Sequence, residues 1–214
     1  MPSVVHQADQ SNTRLSDLGL NQDFLRDAVQ RGEAERATCT DNDPQIYSGM
    51  VPWAKTVRAL REALIPLGWR PEEPGNLPLI VNAEGTVGIA VSRGDGLTGV
   101  ASGSPQTQHP KGPVTVAVVE SNQLSLFGQA IVAGQAEPAE PRRVTWILLI
   151  ANCGNEIRCE LSLPDYVGED MRVTGWAERI ILEPIILGDV PAFSPAEAEP
   201  EISVEVARRT AGQA

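Results

Sequence analysis

Residues 144–151 read Val-Thr-Trp-Ile-Leu-Leu-Ile-Ala, an almost wholly apolar run that suits a central β-strand buried on both faces. After a turn at Gly154 and Asn155, Ile157, Cys159, Leu161 and Leu163 alternate with Arg158, Glu160 and Ser162, the period-two signature of a strand with one wet face. Residues 171–175 and 178–187 complete a four-stranded antiparallel meander, with changes of direction expected at Gly154, Pro164, Gly168 and Gly175. A turn centred on Gly154 and Asn155 sets Cys153 opposite Glu156 and Cys159 opposite Ile150, so the two sulfurs are out of register for a disulfide.

Upstream the periodicity changes to that of helices. Pro52 opens the clearest one, because Trp53, Val57, Leu60, Leu64 and Leu67 recur at helical spacing until Gly68. Asn21 caps a shorter helix with Phe24, Leu25, Ala28 and Val29 on one side and a stop at Gly32. Strands are expected at 77–81, 86–92 and 114–120, the first two joined as a hairpin by the turn at Asn82 to Gly85. These elements predict an α+β fold: two N-terminal helices packed on a mostly antiparallel sheet, with the C-terminal antiparallel meander extending the sheet or packing against it. The expected organisation is a flexible N-terminal arm over 1–20, an α+β region over 21–133, a linker or exposed crossing over 134–142, the meander over 143–187 and a Pro/Ala/Glu-rich flexible tail over 188–214, with an edge strand at 202–206.

A chain of 214 residues can bury roughly 70% of its unfolded surface, and with aromatics at 4% its core must be aliphatic. No apolar run reaches the roughly 18 residues of a membrane span and the first twenty residues lack an apolar signal core, so a cytoplasmic location is expected. The net charge of −11 is spread along the chain, with no basic patch to bind a phosphate backbone, so direct nucleic-acid binding is not expected. Two lysines against fifteen arginines, in a chain rich in Ala, Gly and Pro, suggest a bacterial coding sequence.

Catalytic templates fail one after another. Gly94, Gly96 and Gly99 match the G-x-G-x-x-G spacing after a strand-like run, but residues 100–113 carry three prolines and no apolar period, so no helix is expected to receive a phosphate there. His6 and His109 are the only histidines, no G-x-S-x-G elbow exists, and neither lysine follows a serine at three residues. Cys39, His109, Cys153 and Cys159 are too scattered to read as a zinc site, and Ile46 stands where a calcium loop needs glycine. Neither metal nor cofactor is expected.

Two candidate sites remain. The long loop 94–113 offers Gly94, Gly96, Thr98, Gly99, Ser102, His109 and Lys111 as a nest for an anion. A protein interface is expected at Lys55, Arg58 and Arg61 on the outer face of the second helix, and at Trp176 with Arg179 at a bend. The preferred function is a non-enzymatic acidic binding or accessory protein of a bacterial cell or mobile genetic element, acting through protein contacts. The alternatives are a module binding an anionic metabolite or nucleotide through the glycine-rich loop, and an acidic decoy of nucleic acid that occupies a nucleic-acid-binding protein.

Overall fold

The computed structural model describes residues 3–131 and 143–187, with side chains to 125 in the first segment. In chain order the elements are β1 (Val4–His6), α1 (Asp9–Asp17), α2 (Gln22–Arg36), α3 (Tyr47–Leu64), β2 (Arg70–Glu72), β3 (Leu79–Val81), β4 (Val87–Arg93), α4 (Pro113–Ile131), β5 (Val144–Asn152), β6 (Glu156–Val167), β7 (Val173–Ile181) and β8 (Ile185–Ile186). The eight strands form one sheet in the order β1-β7-β6-β5-β4-β3-β2, with β8 also on β6. The fold is α+β and the sheet is mixed: β1 with β7 and β4 with β5 run parallel, the remaining pairs antiparallel.

The apolar run at 144–151 is β5, and it is central. Trp146, Leu148 and Ile150 face a core shared with Leu15 of α1, Leu25 and Val29 of α2 and Leu60 and Leu64 of α3. Ile147 and Leu149 face the opposite way, toward Val119 of α4, Val173 and Trp176. The seven-residue pairing of β5 with β4 makes the C-terminal strands an extension of the central sheet. The hairpin register matches expectation: Cys159 lies opposite Ile150, the Cys153 N–H donates to the Glu156 carbonyl at 2.9 Å, and all three cysteines are free.

The expected strand at 114–120 is instead the start of α4, with Pro113 as its first residue. Parallel β4 and β5 need a crossover of a dozen or more residues between them, and that demand overrides the β-branched composition of Val114, Thr115, Val116, Val118 and Val119. The helix is pinned to the sheet by Asn122. Its amide donates to the carbonyls of Thr145 (2.9 Å) and Pro164 (3.2 Å), and its oxygen accepts from the Thr145 N–H (2.9 Å). Pro164, without an N–H, cannot continue the β5–β6 ladder past Ser162, and the buried Asn122 side chain satisfies the backbone groups left over.

Two further breaks read from sequence are absorbed within strands. β6 passes through Pro164 with shifts of register, and β7 passes through Gly175, where a side chain would strike Tyr166 and Asp165. The meander is therefore three long strands and the two-residue β8, with a bulge in place of two reversals. Arg70–Glu72, for which no strand was expected, form the edge strand β2.

The N-terminal segment expected to be a flexible arm is built into the fold. β1 lies along β7, Leu15 of α1 is fully buried, and Ser11 Oγ donates to the Ile181 carbonyl at 2.7 Å. Arg14 forks onto Glu178 (2.6 and 3.1 Å), which also meets His6 Nε2 at 2.8 Å, and the Glu178 bond raises the pKa of Arg14. The segments 134–142 and 188–214, including the edge strand expected at 202–206, lie outside the described residues, as does all but residue 143 of the stretch before β5. No helix among the described residues is long and apolar enough to cross a membrane.

Asn21 caps α2 as expected, its side chain accepting from the Asp23 N–H at 2.7 Å. Gly32 is not the stop, because α2 runs on to Arg36, and α3 begins five residues before Pro52, which sits inside it. Gly32 marks a close helix contact instead of a stop. A methyl group at Gly32 would collide with Thr56 Oγ1 and come within 2.5 Å of the Pro52 carbonyl oxygen, so the glycine lets the two helices cross at close range. Gly32→Ala gains about 1 kcal/mol of helix propensity but meets an overpacking cost of about 1–3 kcal/mol against backbone that cannot rotate away. A net loss of up to about 2 kcal/mol in urea denaturation should result, whereas Gly49→Ala, in α3 with open space around it, should stabilise by about 0.5–1 kcal/mol.

Candidate functional site

The loop from Gly94 to Gly112 lies on the α4 side of the sheet and is held there by a buried ion pair. Glu160 of β6 and Arg179 of β7 are 0% and 2% exposed, with Arg179 Nε on Glu160 Oε1 at 2.9 Å and Arg179 Nη2 on Oε2 at 2.5 Å. Both remaining lobes of the Glu160 carboxylate and two further N–H groups of Arg179 are also bonded. Arg179 donates to the loop carbonyls of Gly103 (2.7 Å) and Val100 (3.1 Å), while Glu160 accepts from the Gly99 N–H (2.8 Å) and Ser162 Oγ (2.7 Å). Trp176, 5% exposed, donates its indole N–H to the Pro105 carbonyl at 2.7 Å. Thr107 closes the far end: its N–H donates to the Val173 carbonyl (3.0 Å) and its Oγ1 accepts from the Val173 N–H (3.1 Å).

This arrangement corrects two of the expected interface residues. Trp176 and Arg179 are internal clamps of the loop: three residues apart on β7, they would face opposite ways under strict alternation, and the register shift between Trp176 and Glu178 turns both to the same interior face. It also accounts for the glycine spacing. A methyl at Gly94 would overlap Thr98 Oγ1, and Gly99, at φ +75°, would bring one within 2.9 Å of Arg158 Cβ. Only Gly96 of the three faces open space. Two of the glycines thus serve close packing and a positive φ, with Gly99 N–H aimed at a carboxylate of the protein itself.

The seven loop residues do not converge. Thr98 is fully buried, Gly96, Ser102 and His109 are exposed, and Lys111 reaches inward to place Nζ 2.7 Å from Ser92 Oγ at the end of β4. Burial lowers the pKa of Lys111. Among the described residues no group of three His, Cys, Asp or Glu side chains is placed to hold a metal ion.

The basic residues of α3 are on the surface, each with an acidic neighbour: Lys55 with Glu35 (3.3 Å), Arg58 with Glu62 (2.7 Å) and Arg61 with Glu73 (2.8 Å). Lys55 and Arg58 line a groove of about 420 Å³ between the outer faces of α2 and α3, with Arg31, Ala34, Glu35 and Glu62. Arg61 turns away from it, toward the carbonyls of Glu72 and Leu79. Sequence reading passed over the neighbouring apolar residues Ile46, Tyr47 and Met50, which are 70%, 46% and 50% exposed. Their signal was the spacing of Tyr47, Met50, Ala54 and Arg58, which lie on one helix face once α3 is extended back to Tyr47.

Comparison of the chain with protein-family models, with curated proteins and with solved structures finds no match.

Removing one partner of a buried pair costs about 3–5 kcal/mol because the other charge is left uncompensated. Arg179→Met should lose that much in denaturant titration and speed amide exchange in 96–107, and adding Glu160→Leu should recover part of the loss. Burial pushes the Cys159 thiol up to about 12, so at pH 8 iodoacetamide should alkylate Cys39 and Cys153 in the native chain and spare Cys159, read by peptide mass mapping.

Proposed function

We propose that this chain is a non-enzymatic binding or accessory protein of a bacterial cell or mobile element, and that it works by docking another protein on the outer face of α3. The observation that carries the reading is the exposed stripe of Ile46, Tyr47 and Met50 continuing into Arg58. Tyr, Met and Arg are the side chains enriched at protein interfaces, and here they stand on a rigid helix whose opposite side is anchored in the core through Leu60 and Leu64. Lys55 and Arg58 border the same face, so an acidic side chain of the partner can compete with Glu35 and Glu62 for them.

The internal use of Gly94 and Gly99 counts against a pyrophosphate cradle in the loop. On the surface, acids alternate with arginines, as in Glu72 with Arg143 (2.7 Å) and Glu156 with Arg158 (2.6 Å), which favours protein contact over imitation of a phosphate backbone.

The test is cross-linking in the native host with a photoreactive residue at Met50, followed by Tyr47→Ala/Met50→Ala. A specific adduct should form from position 50 and not from the exposed Ser121 of α4, on the opposite face of the sheet. The double variant should weaken binding of the captured partner at least tenfold, while its thermal midpoint stays within about 2 °C because both side chains are exposed. Equal adducts from both positions, or undiminished binding by the variant, would sink the reading.

A further inference from the structure

Lys111 and Ser92 are nineteen residues apart in sequence and in direct contact in space. Nζ lies 2.7 Å from Ser92 Oγ, which itself lies 3.2 Å from the Arg93 carbonyl oxygen. Three backbone bonds fix the lysine: its own N–H donates to the Met171 carbonyl (2.7 Å), and Gln108 N–H to the Arg93 carbonyl (2.9 Å) and Asp95 N–H to the Gln106 carbonyl (3.0 Å) bridge Gly94 to Thr107 across the base of the loop. Ser92 sits at the carboxyl end of β4, beside parallel β5, the end of a parallel strand pair where α/β proteins place their chemistry.

The lysine has no carboxylate partner among the described residues, in contrast to Lys55 on Glu35. A desolvated amine without a counter-charge is more readily neutral than one in water, and burial acts on Lys111 in that direction. A neutral Nζ offers a lone pair to the Ser92 hydroxyl; a protonated Nζ donates to the same oxygen while the hydroxyl turns to the Arg93 carbonyl. Both proton positions are provided for, as a proton-shuttling base requires.

We propose that Ser92 and Lys111 form a nucleophile–base pair that accepts a small acyl group from an ester. The Ser92 Oγ–H proton passes to the Lys111 Nζ lone pair as the Oγ–C bond forms. The bond from carbon to the leaving oxygen then breaks with its electron pair, and that oxygen takes the proton from Nζ. The products are a Ser92 ester and a free alcohol, with no change in oxidation state. Ser92 is only 7% exposed, so the smallest acyl group, acetyl, is the probe. This inference is independent of the α3 interface, and because the step ends at the Ser92 ester it describes a single modification of the chain, not turnover.

The experiment is incubation of the full folded chain with p-nitrophenyl acetate, with phenolate release followed optically and the acetylated position found by peptide mass mapping. Acetyl should appear on Ser92 at least tenfold faster than on the exposed Ser102. Lys111→Arg keeps the positive charge but holds its proton at neutral pH, and should slow Ser92 acetylation about 100-fold, the lower range for loss of a general base. Where that variant does not fold, the wild-type chain in urea replaces it and should lose the Ser92 preference. No adduct at Ser92, acetyl on Lys111 alone, an unchanged rate in Lys111→Arg, or equal labelling of the unfolded chain would each overturn the pair.

Discussion

β5 is covered on both faces and paired on both edges, and the rest of the molecule follows from satisfying it. On one edge β4 lies parallel, so the chain must leave the top of β4, cross a face of the sheet and re-enter at the bottom of β5. That crossing is the loop 94–112 together with α4. The opposite face is left to α1, α2 and α3, which meet it with Leu15, Leu25, Val29, Leu60 and Leu64.

The two faces are stabilised differently because their covers differ. Helices bring their own backbone hydrogen bonds, so the α1–α3 side can be mainly apolar, with Ser11, Gln22, Glu33 and Thr56 as its buried polar side chains. A nineteen-residue loop brings carbonyls and N–H groups that must find partners once water is excluded. Glu160, Arg179, Trp176 and the backbone of Val173 supply them from the sheet, which places an ion pair in the interior of a mainly aliphatic protein. Such a pair adds little net stability against an apolar substitute, but it specifies where the loop must sit.

Once the loop is fixed, its chemistry is fixed with it. Glycines that resemble a phosphate cradle are turned to internal packing, whereas Lys111 is delivered to Ser92 through a desolvated position. The α3 face has a different character: it is exposed, helical and carries aromatic, thioether and guanidinium groups close together. Buried reactive geometry and exposed contact surface therefore occupy opposite layers, so substitution at either can be read without disturbing the other.

Local patterns determined the pieces whose stabilisation is local. The both-faces-buried strand, the alternation of the strand after it, the β5–β6 register at Cys159 and Ile150, the Asn21 cap and the stripe of α3 as far as Leu64 were legible, because each is set by side-chain periodicity or by one turn. The face of β6 expected to be wet is instead buried at Glu160 and Ser162 under the loop, and Leu67 lies past α3 and is exposed. Burial of Trp176 and Arg179 was not legible, since a bulge at Pro164 and Gly175 decides which way they point. The helix at 113–131 was hidden behind β-branched residues that favour strand locally and are overruled by a parallel crossover. Gly32 was read as a terminator when its role is to admit α3, and the contact of Ser92 with Lys111 has no spacing to betray it. Periodicity and turn residues are properties of neighbours along the chain; the crossover, the helix crossing and the serine–lysine contact join residues separated by nineteen positions or more, and only packing the whole sheet brings them together.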